Sequence, residues 1–278
     1  MKNTLILLPL LLACSATKPA DPAPTTDDKS PAAATTLRVM SYNVHHCSPP
    51  SRPGVIDIPA IVRTIEAQHP DVVMLQEIDV HTGRSGAGSH QARELAEQLH
   101  MQGYFGKAIP HDGGAYGVAL LSRYPLHDTI VYRLPTQAGT NGEPRILAAA
   151  TITLPTGQKV RLGCTHLDAQ RTDQNRQLQA AEIVRLADAE PLPFVLAGDF
   201  NAQPESPVVQ QVDAHFKRTC QPCLPTIPVV TPTKAIDFIT YAPQAHFQVK
   251  SHQVVAETYA SDHRPVVAEL SLLGKQNP

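Results

Sequence analysis

The chain has 278 residues, of which 42% are apolar and 17% charged, and its formal net charge is −2. That much apolar material excludes a disordered, collagenous or coiled-coil chain, and no apolar run is long enough for a polytopic membrane protein. With 23 basic against 25 acidic side chains there is no bulk positive field for non-specific polyanion binding.

The N-terminus reads as a targeting segment. Lys2 supplies a short basic region, and Leu5 to Ala13 is an apolar run interrupted by Pro9. It is far shorter than the roughly 20 residues that span a bilayer and fits the core of a secretory signal. The run ends in Leu11-Leu12-Ala13-Cys14, which resembles the lipobox of bacterial lipoproteins. That resemblance implies a signal peptide over residues 1–13, lipidation of Cys14 and stable anchoring through two or three acyl chains. It also implies an exported, lipid-anchored protein of the bacterial cell envelope, at the outer membrane or periplasmic face. Residues 14–36 carry Pro19, Pro22, Pro24 and Pro31 among Ala, Thr and Asp, without apolar periodicity. This composition predicts an extended tether.

A catalytic-sized domain is expected over residues 37–274. Leu37 to Val44 reads as a strand. Ile58, Ile61, Val62 and Ile65 follow helical spacing, with Asp57 placed to cap. Asp71 to Gln76 reads as a buried strand and Gln91 to Met101 as a helix. Strands are expected at Gly117–Leu121, Thr129–Arg133, Ile146–Leu154 and Lys159–Cys164. Ala180, Ile183, Val184 and Ala187 mark a further helix. Strands then follow at Phe194–Ala197, Ala235–Tyr241, Gln248–Val254 and Pro265–Leu272. Sequential strands outnumbering helices predict two packed sheets with helices outside them. Outside the cytoplasm Cys220 and Cys223 are expected to form a local disulfide, and Cys47 and Cys164 to be small buried residues.

Polar residues gather where the apolar strands end. Asn43, Glu77, His166, Asp199 and Asn201 each follow such a run. Asp237 lies within one, and Asp262-His263 immediately precedes another. If these ends converge, they supply hard oxygen ligands for Mg²⁺, Mn²⁺ or Ca²⁺ and two imidazoles for proton transfer near neutral pH. That combination belongs to phosphoester hydrolysis.

Seven segments carry a resemblance: Ser41-Tyr-Asn-Val44, Gln76-Glu77, Tyr116 to Pro125, Thr165-His-Leu167, Gly198-Asp-Phe-Asn201, Ile236-Asp-Phe-Ile239 and Ser261-Asp-His-Arg-Pro265. In this order they resemble the motif set of the endonuclease/exonuclease/phosphatase superfamily, which includes deoxyribonuclease I and the sphingomyelinases. The resemblance implies an α/β, four-layer sandwich with two mixed sheets face to face. It implies that Glu77 holds a metal, that Asn43 supports Glu77 or contacts the metal itself, and that Asp262 binds the metal or an outer-shell water. Asp199 would orient or deprotonate the attacking water, and Asn201 would position that water or a phosphate oxygen. Asp237 and His263 would form a dyad, His166 would serve the phosphoryl oxygen or leaving group, and Tyr116 and Arg145 would contact phosphate.

Other polar residues have plainer readings. Asp168 is expected to be a turn residue and Arg123 a structural ion-pair partner. His45-His46-Cys47 invites a zinc site, against which adjacent strand side chains would face opposite ways, and lining of a substrate pocket is the stronger alternative. Arg84 to Ser89 precedes a helix N-terminus, which favours anions, but is expected to be a flexible surface loop.

The expected substrate is a lipid head group or other small phosphodiester. Segments such as Arg84-Ser-Gly and Glu143-Pro-Arg145 resemble secreted bacterial members of the superfamily, similar in turn to GPI-remodelling and sphingomyelinase-like branches. A nuclease is the main alternative. It is disfavoured because the chain has no Trp and no Lys/Arg run to grip a nucleic-acid backbone. Phosphomonoesterase activity and a non-catalytic binding module are further alternatives. A monomer is expected.

Overall fold

The computed structural model describes Met1 and residues 35–273. The predicted signal peptide, Cys14 and the tether up to residue 34 lie outside the described residues. The chain runs through β1 (Thr35–Asn43), a 3-10 turn (His45–Cys47), α1 (Ile58–Glu66), β2 (Val72–Val80), α2 (Gln91–Gln98), β3 (Gln102–His111) and β4 (Gly114–Ser122). It continues through β5 (His127–Arg133), β6 (Ile146–Thr153), β7 (Lys159–His166), α3 (Gln174–Asp188), β8 (Phe194–Asp199) and α4 (Pro207–Asp213). The last elements are β9 (Lys217–Arg218), β10 (Asp237–Ala242), a 3-10 turn (Gln244–His246), β11 (Phe247–Val254) and β12 (Val266–Leu272).

Two six-stranded sheets result, in the orders β11-β12-β1-β2-β4-β3 and β5-β6-β7-β8-β10-β9. Both are mixed: β1 runs parallel to β2 and β7 to β8, while the other neighbours are antiparallel. Strand side chains alternate between faces, and this alternation builds three apolar layers. Leu37, Val39, Val72, Met74, Val118 and Leu120 of the first sheet meet Ala148, Leu162, Val195, Ala197 and Ile239 of the second. The opposite parity, including Met40, Tyr42, Val73 and Leu75, packs under Ile61 and Ile65 of α1 and Leu95 of α2. On the far side Phe194, Leu196 and Phe238 pack under Ile183 of α3 and Val208 and Val212 of α4. The four expected layers are therefore present.

The expected elements appear with small differences. β1 begins at Thr35, which pairs with Leu272, two residues ahead of the expected domain start. α1 starts where Asp57 accepts a 3.0 Å bond from the Ala60 N–H. α2 ends at Gln98, short of Met101, because β3 follows at once. β3 lacked a readable signal: it is an edge strand, half exposed and broken by Gly103, Gly106 and Pro110. α4 is only seven residues long, started by Pro207 and capped by the Ser206 hydroxyl. The Cys220–Cys223 disulfide is formed, and Cys47 and Cys164 are free and buried. Arg123 is exposed and, among the described residues, makes no ion pair; instead its backbone N–H donates to Asp71 O at 2.9 Å.

Gly198 sits where β7 and β8 approach closely: a Cβ there would lie 2.0 Å from the Thr165 carbonyl oxygen. Backbone cannot yield as a side chain can, so Gly198→Ala is expected to cost about 1–3 kcal/mol and to lower the melting temperature by several degrees. Gly88→Ala, with nothing within 4 Å of the added carbon, should leave the same calorimetric scan unchanged.

Candidate active site

The site is the point at which the inner faces of both sheets stop being apolar. In β8 the inward residues run Val195, Ala197 and then Asp199; in β7 they run Leu162, Cys164 and then His166. Register sets these side by side: His166 pairs with Asp199, and Asp199 with Asp237 at the start of β10. From the first sheet Asn43 is the last inward residue of β1 after Leu37, Val39 and Ser41.

Glu77 reaches the same mouth through a β-bulge. Leu75 pairs with Ala119 and Ile78 with Gly117, so Gln76 and Glu77 together oppose Val118 alone. Glu77 takes a left-handed φ of 59°. Before the bulge the even-numbered residues Val72 and Met74 face inward; after it Ile78 and Val80 pack outward under the helices. An unbroken strand would have sent Glu77 into the helix layer, so the extra residue re-aims it. Gln76 stays inward and bonds the Cys164 sulfur across the sheets at 3.4 Å.

Asn43 ties the two sheets together. Its amide nitrogen donates to Glu77 Oε1 and to Asp199 Oδ2, both at 3.1 Å. Its oxygen accepts the His45 backbone N–H at 3.1 Å, which fixes the amide's orientation. Asp199 is 1% exposed. One of its oxygens accepts the Asn201 N–H at 2.8 Å. The other lies 3.5 Å from His166 Nε2 and 3.7 Å from His263 Nε2. Asn201, with φ 49°, spends its amide nitrogen on His166 Nε2 and the Leu167 carbonyl, each at 3.0 Å.

His263 Nδ1 donates to Asp237 Oδ2 at 2.9 Å. The same oxygen accepts the Thr226 hydroxyl, itself fully buried. Ser261 fastens this loop to the first sheet by donating to the Asn43 carbonyl at 2.7 Å. Neither Thr226 nor Ser261 was assigned a role from sequence. Ser261 stands inside the Ser-Asp-His motif, whereas Thr226 lies in a proline-rich loop with no local signal.

The electrostatics follow from burial and crowding. Burial, then repulsion from Asp237, pushes Asp199 up to about 7, against His263, the Asn201 N–H and Asn43. Burial pulls His263 down, but Asp237, by charge and hydrogen bond, with Asp199 and Asp262, raises it to about 10. His166 is driven well below the ordinary imidazole range by burial and by the charges of Arg145 and His263. It is therefore neutral, while His263 is an imidazolium facing a carboxylate. Burial and nearby Asp262 raise Glu77, against the Asn43 hydrogen bond. Tyr116 is raised by burial and then by Glu77, with Arg145 opposing. Arg145 is 5% exposed, pairs with Glu143 at 3.0 Å and leaves its Nε without a partner.

The residues fit a divalent cation. Among the described residues neither Glu77 nor Asp262 forms an ion pair, and the charge of Asp262 raises the cost of ionising Glu77. An oxygen-rich pair of carboxylates without a basic partner suits a hard ion such as Mg²⁺. Asp199, Asp237 and His263 also offer ligand atoms within 4.8 Å of one another. Since Asp237 already accepts from both His263 and Thr226, that trio is better described as a hydrogen-bonded relay.

Three expectations need correction or detail. His45–Cys47 is a 3-10 turn with positive φ at all three residues, so strand alternation does not apply there. Asp168 is a buried turn residue: it accepts the Gln170 N–H at 2.7 Å and Asn175 Nδ2 at 3.0 Å, and does not orient His166. The Arg84 loop is clamped rather than free, through bonds to Asp79 and Asp112.

The arrangement has known relatives. The sequence profile of the Endonuclease/Exonuclease/phosphatase family matches residues 40–263. The Escherichia coli (strain K12) protein YbhP, named as uncharacterized, is 28% identical over 226 residues, covering 76% of this chain and 86% of its own. The crystal structure of an endonuclease/exonuclease/phosphatase from Beutenbergia cavernae superposes with a TM-score of 0.71 at 28% identity, over 86% of this chain and 72% of that one. A Bacteroides thetaiotaomicron mannosyl-6-phosphatase shares the fold, with a TM-score of 0.68 at 20% identity over 84% of this chain and 99% of that one. The profile spans both sheets and every strand end that contributes to the polar mouth, and the chain belongs to the endonuclease/exonuclease/phosphatase family.

Proposed function

We propose that the protein is a divalent-metal-dependent phosphodiester hydrolase in which water attacks phosphorus in line. The observation that carries this reading is the Asp237–His263 pair set against the buried Asp199, beside Asn201 and His166. Asp199 Oδ2 and His263 Nε2, 3.7 Å apart, are both within hydrogen-bond reach of one water oxygen. Both orient that water, and Asp199 takes its proton as the new P–O bond forms, because His263 already carries one. Asp237 holds the imidazole and balances its charge, and Thr226 holds Asp237. The Asn201 amide, which donates to His166 Nε2, would turn one N–H to the phosphoryl oxygens as they gain charge during the attack. Arg145 and Tyr116 add a cation and a hydroxyl on the same side, and the leaving alkoxide departs opposite the water. A bound cation would neutralise phosphate charge and the leaving oxygen; Glu77 and Asp262 are the residues that would hold it, with Asn43 bracing Glu77.

For the substrate we favour a lipid head group or another small phosphodiester, met by an envelope protein tethered through Cys14. The balance of 23 basic and 25 acidic residues and the lack of Trp support this over nucleic acid. The mannosyl-6-phosphatase among the structural neighbours is 20% identical and carries the fold only.

His263→Ala is expected to lower kcat on bis-p-nitrophenyl phosphate by about 10²–10⁴-fold while the protein stays folded. Activity should vanish in EDTA, return with Mg²⁺, and need more Mg²⁺ in Glu77→Ala; full turnover in EDTA would overturn the metal requirement. A substrate panel should show hydrolysis of small or lipid diesters. Plasmid nicking that persists at physiological salt and is lost in His263→Ala would replace this reading with a nuclease.

A further inference from the structure

Next to Glu77 the first sheet carries a second polar assembly that the hydrolytic steps do not use. Its anchor is Asp79, two residues beyond Glu77 on the same inward face and fully buried. Asp79 is over-supplied with donors. Arg84 Nε and Nη2 bind its two oxygens at 2.7 and 2.9 Å, and the hydroxyls of Ser85 and Thr82 add bonds at 2.7 and 2.9 Å. The loop is clamped from outside as well: Asp112, on the β3–β4 turn, accepts the Arg84 N–H at 2.6 Å. The Arg84 guanidinium lies 5.6 Å from the ring centre of Tyr116. Tyr116 pairs with Asp79 across the sheet, two residues beyond Glu77, so Arg84 stands beside the reaction mouth.

Arg84 does more than neutralise Asp79. Its side chain is 34% exposed, and among the described residues Nη1 donates to nothing. A bidentate carboxylate below and an aromatic face beside it remove the side chain's freedom, so this spare donor is aimed and rigid. Fully buried Gln91, the first residue of α2, joins the same wall. It accepts the Asp79 N–H at 2.9 Å and donates to the His46 carbonyl at 2.7 Å. His46 Nδ1 is buried and unpartnered. Burial, with Arg84 and His45 nearby, holds His46 down at about 4, so it is a neutral ring. The wall thus offers hydrogen bonds with almost no net charge, since Asp79 cancels Arg84. A second phosphate would find little attraction there, whereas hydroxyl groups would find fixed donors.

Resting on the phosphodiesterase reading above, we infer that Arg84 is a specificity-determining residue whose free Nη1 hydrogen-bonds a hydroxyl-bearing alcohol portion of the substrate, beyond the scissile phosphate. Asp79 and Tyr116 are the positioning residues for it. The ligand class is a polyol phosphoester, a description that fits a lipid head group or a free glycerophosphodiester equally.

Calorimetric titration of the full chain in Mg²⁺ buffer separates the two ideas, because it needs no turnover. The probes are sn-glycerol 3-phosphate and n-propyl phosphate, which differ in their hydroxyl groups. The wild type should bind the glycerol ester about tenfold more tightly. Arg84→Ala and Arg84→Lys should both lose that preference while keeping the wild-type affinity for propyl phosphate. Lys still neutralises Asp79, so a merely structural arginine would be rescued by it. No preference in the wild type, a preference that survives in either variant, or an equal loss for both probes would overturn the assignment. Failure of the phosphodiesterase reading would appear separately, as absent hydrolysis of bis-p-nitrophenyl phosphate. Glycerol diesters in vesicles and in free solution, compared as substrates, distinguish the two sources of the polyol.

Discussion

The structure turns on one carboxylate. Asp199 is almost completely removed from water, yet it lies between His166 and Asp237 along the sheet and faces His263 from the loop before β12. A buried carboxylate with an acidic neighbour resists ionisation, and the fold offsets this with the Asn201 N–H, the Asn43 amide and the His263 charge. Each compensating group comes from a different element. The demands of this one side chain therefore bind β1, β8, the turn after β8 and the loop before β12 into a single arrangement. His263 depends on it in return: Asp237, Asp199 and Asp262 together raise its affinity for a proton.

Sheet geometry explains why so many chemical groups arrive together. Parallel pairing of β7 with β8 and antiparallel pairing of β8 with β10 place His166, Asp199 and Asp237 in one row. Alternation then turns all three toward the gap between the sheets. The first sheet needs a device, because plain alternation would bury Glu77 under the helices. The bulge at Gln76–Glu77 supplies it, and the same shift keeps Asp79 inward. One irregularity thus sets both the metal-type carboxylate and the anchor of the Arg84 wall. Dry packing behind the polar row, from Val195, Ala197 and Leu162 to Met74, keeps these groups from relaxing into solvent.

Much of this was legible in the chain. Strand runs ending in Asn, Glu, His or Asp marked the mouth, because an apolar inner face leaves few reasons for a polar residue at its last position. Helix α1 was legible through the spacing of Ile58, Ile61, Val62 and Ile65 and its Asp57 cap. What escaped depends on neighbours distant in sequence. β3 is an edge strand, so only one side of it is constrained by pairing and its pattern is blurred by glycines. Thr226 gains its role solely from the fold bringing a loop hydroxyl onto Asp237. Arg84 looked like part of a mobile glycine-rich stretch, since nothing local reveals that Asp79 and Asp112 clamp it. The turn at His45–Cys47 carries left-handed backbone at all three residues, with Cys47 packed beneath the helices, and nothing local in the sequence signals it.

The central claim is that Asp199 and His263 work on a water molecule and that no side chain of the protein takes the phosphoryl group. Stereochemistry at phosphorus reads this directly. A chiral phosphorothioate diester would be hydrolysed in ¹⁸O-labelled water and the product configuration determined by phosphorus NMR. A single in-line displacement predicts inversion, with one solvent oxygen on phosphorus. Retention of configuration would mean two successive displacements through a phosphorylated side chain, and would contradict the account.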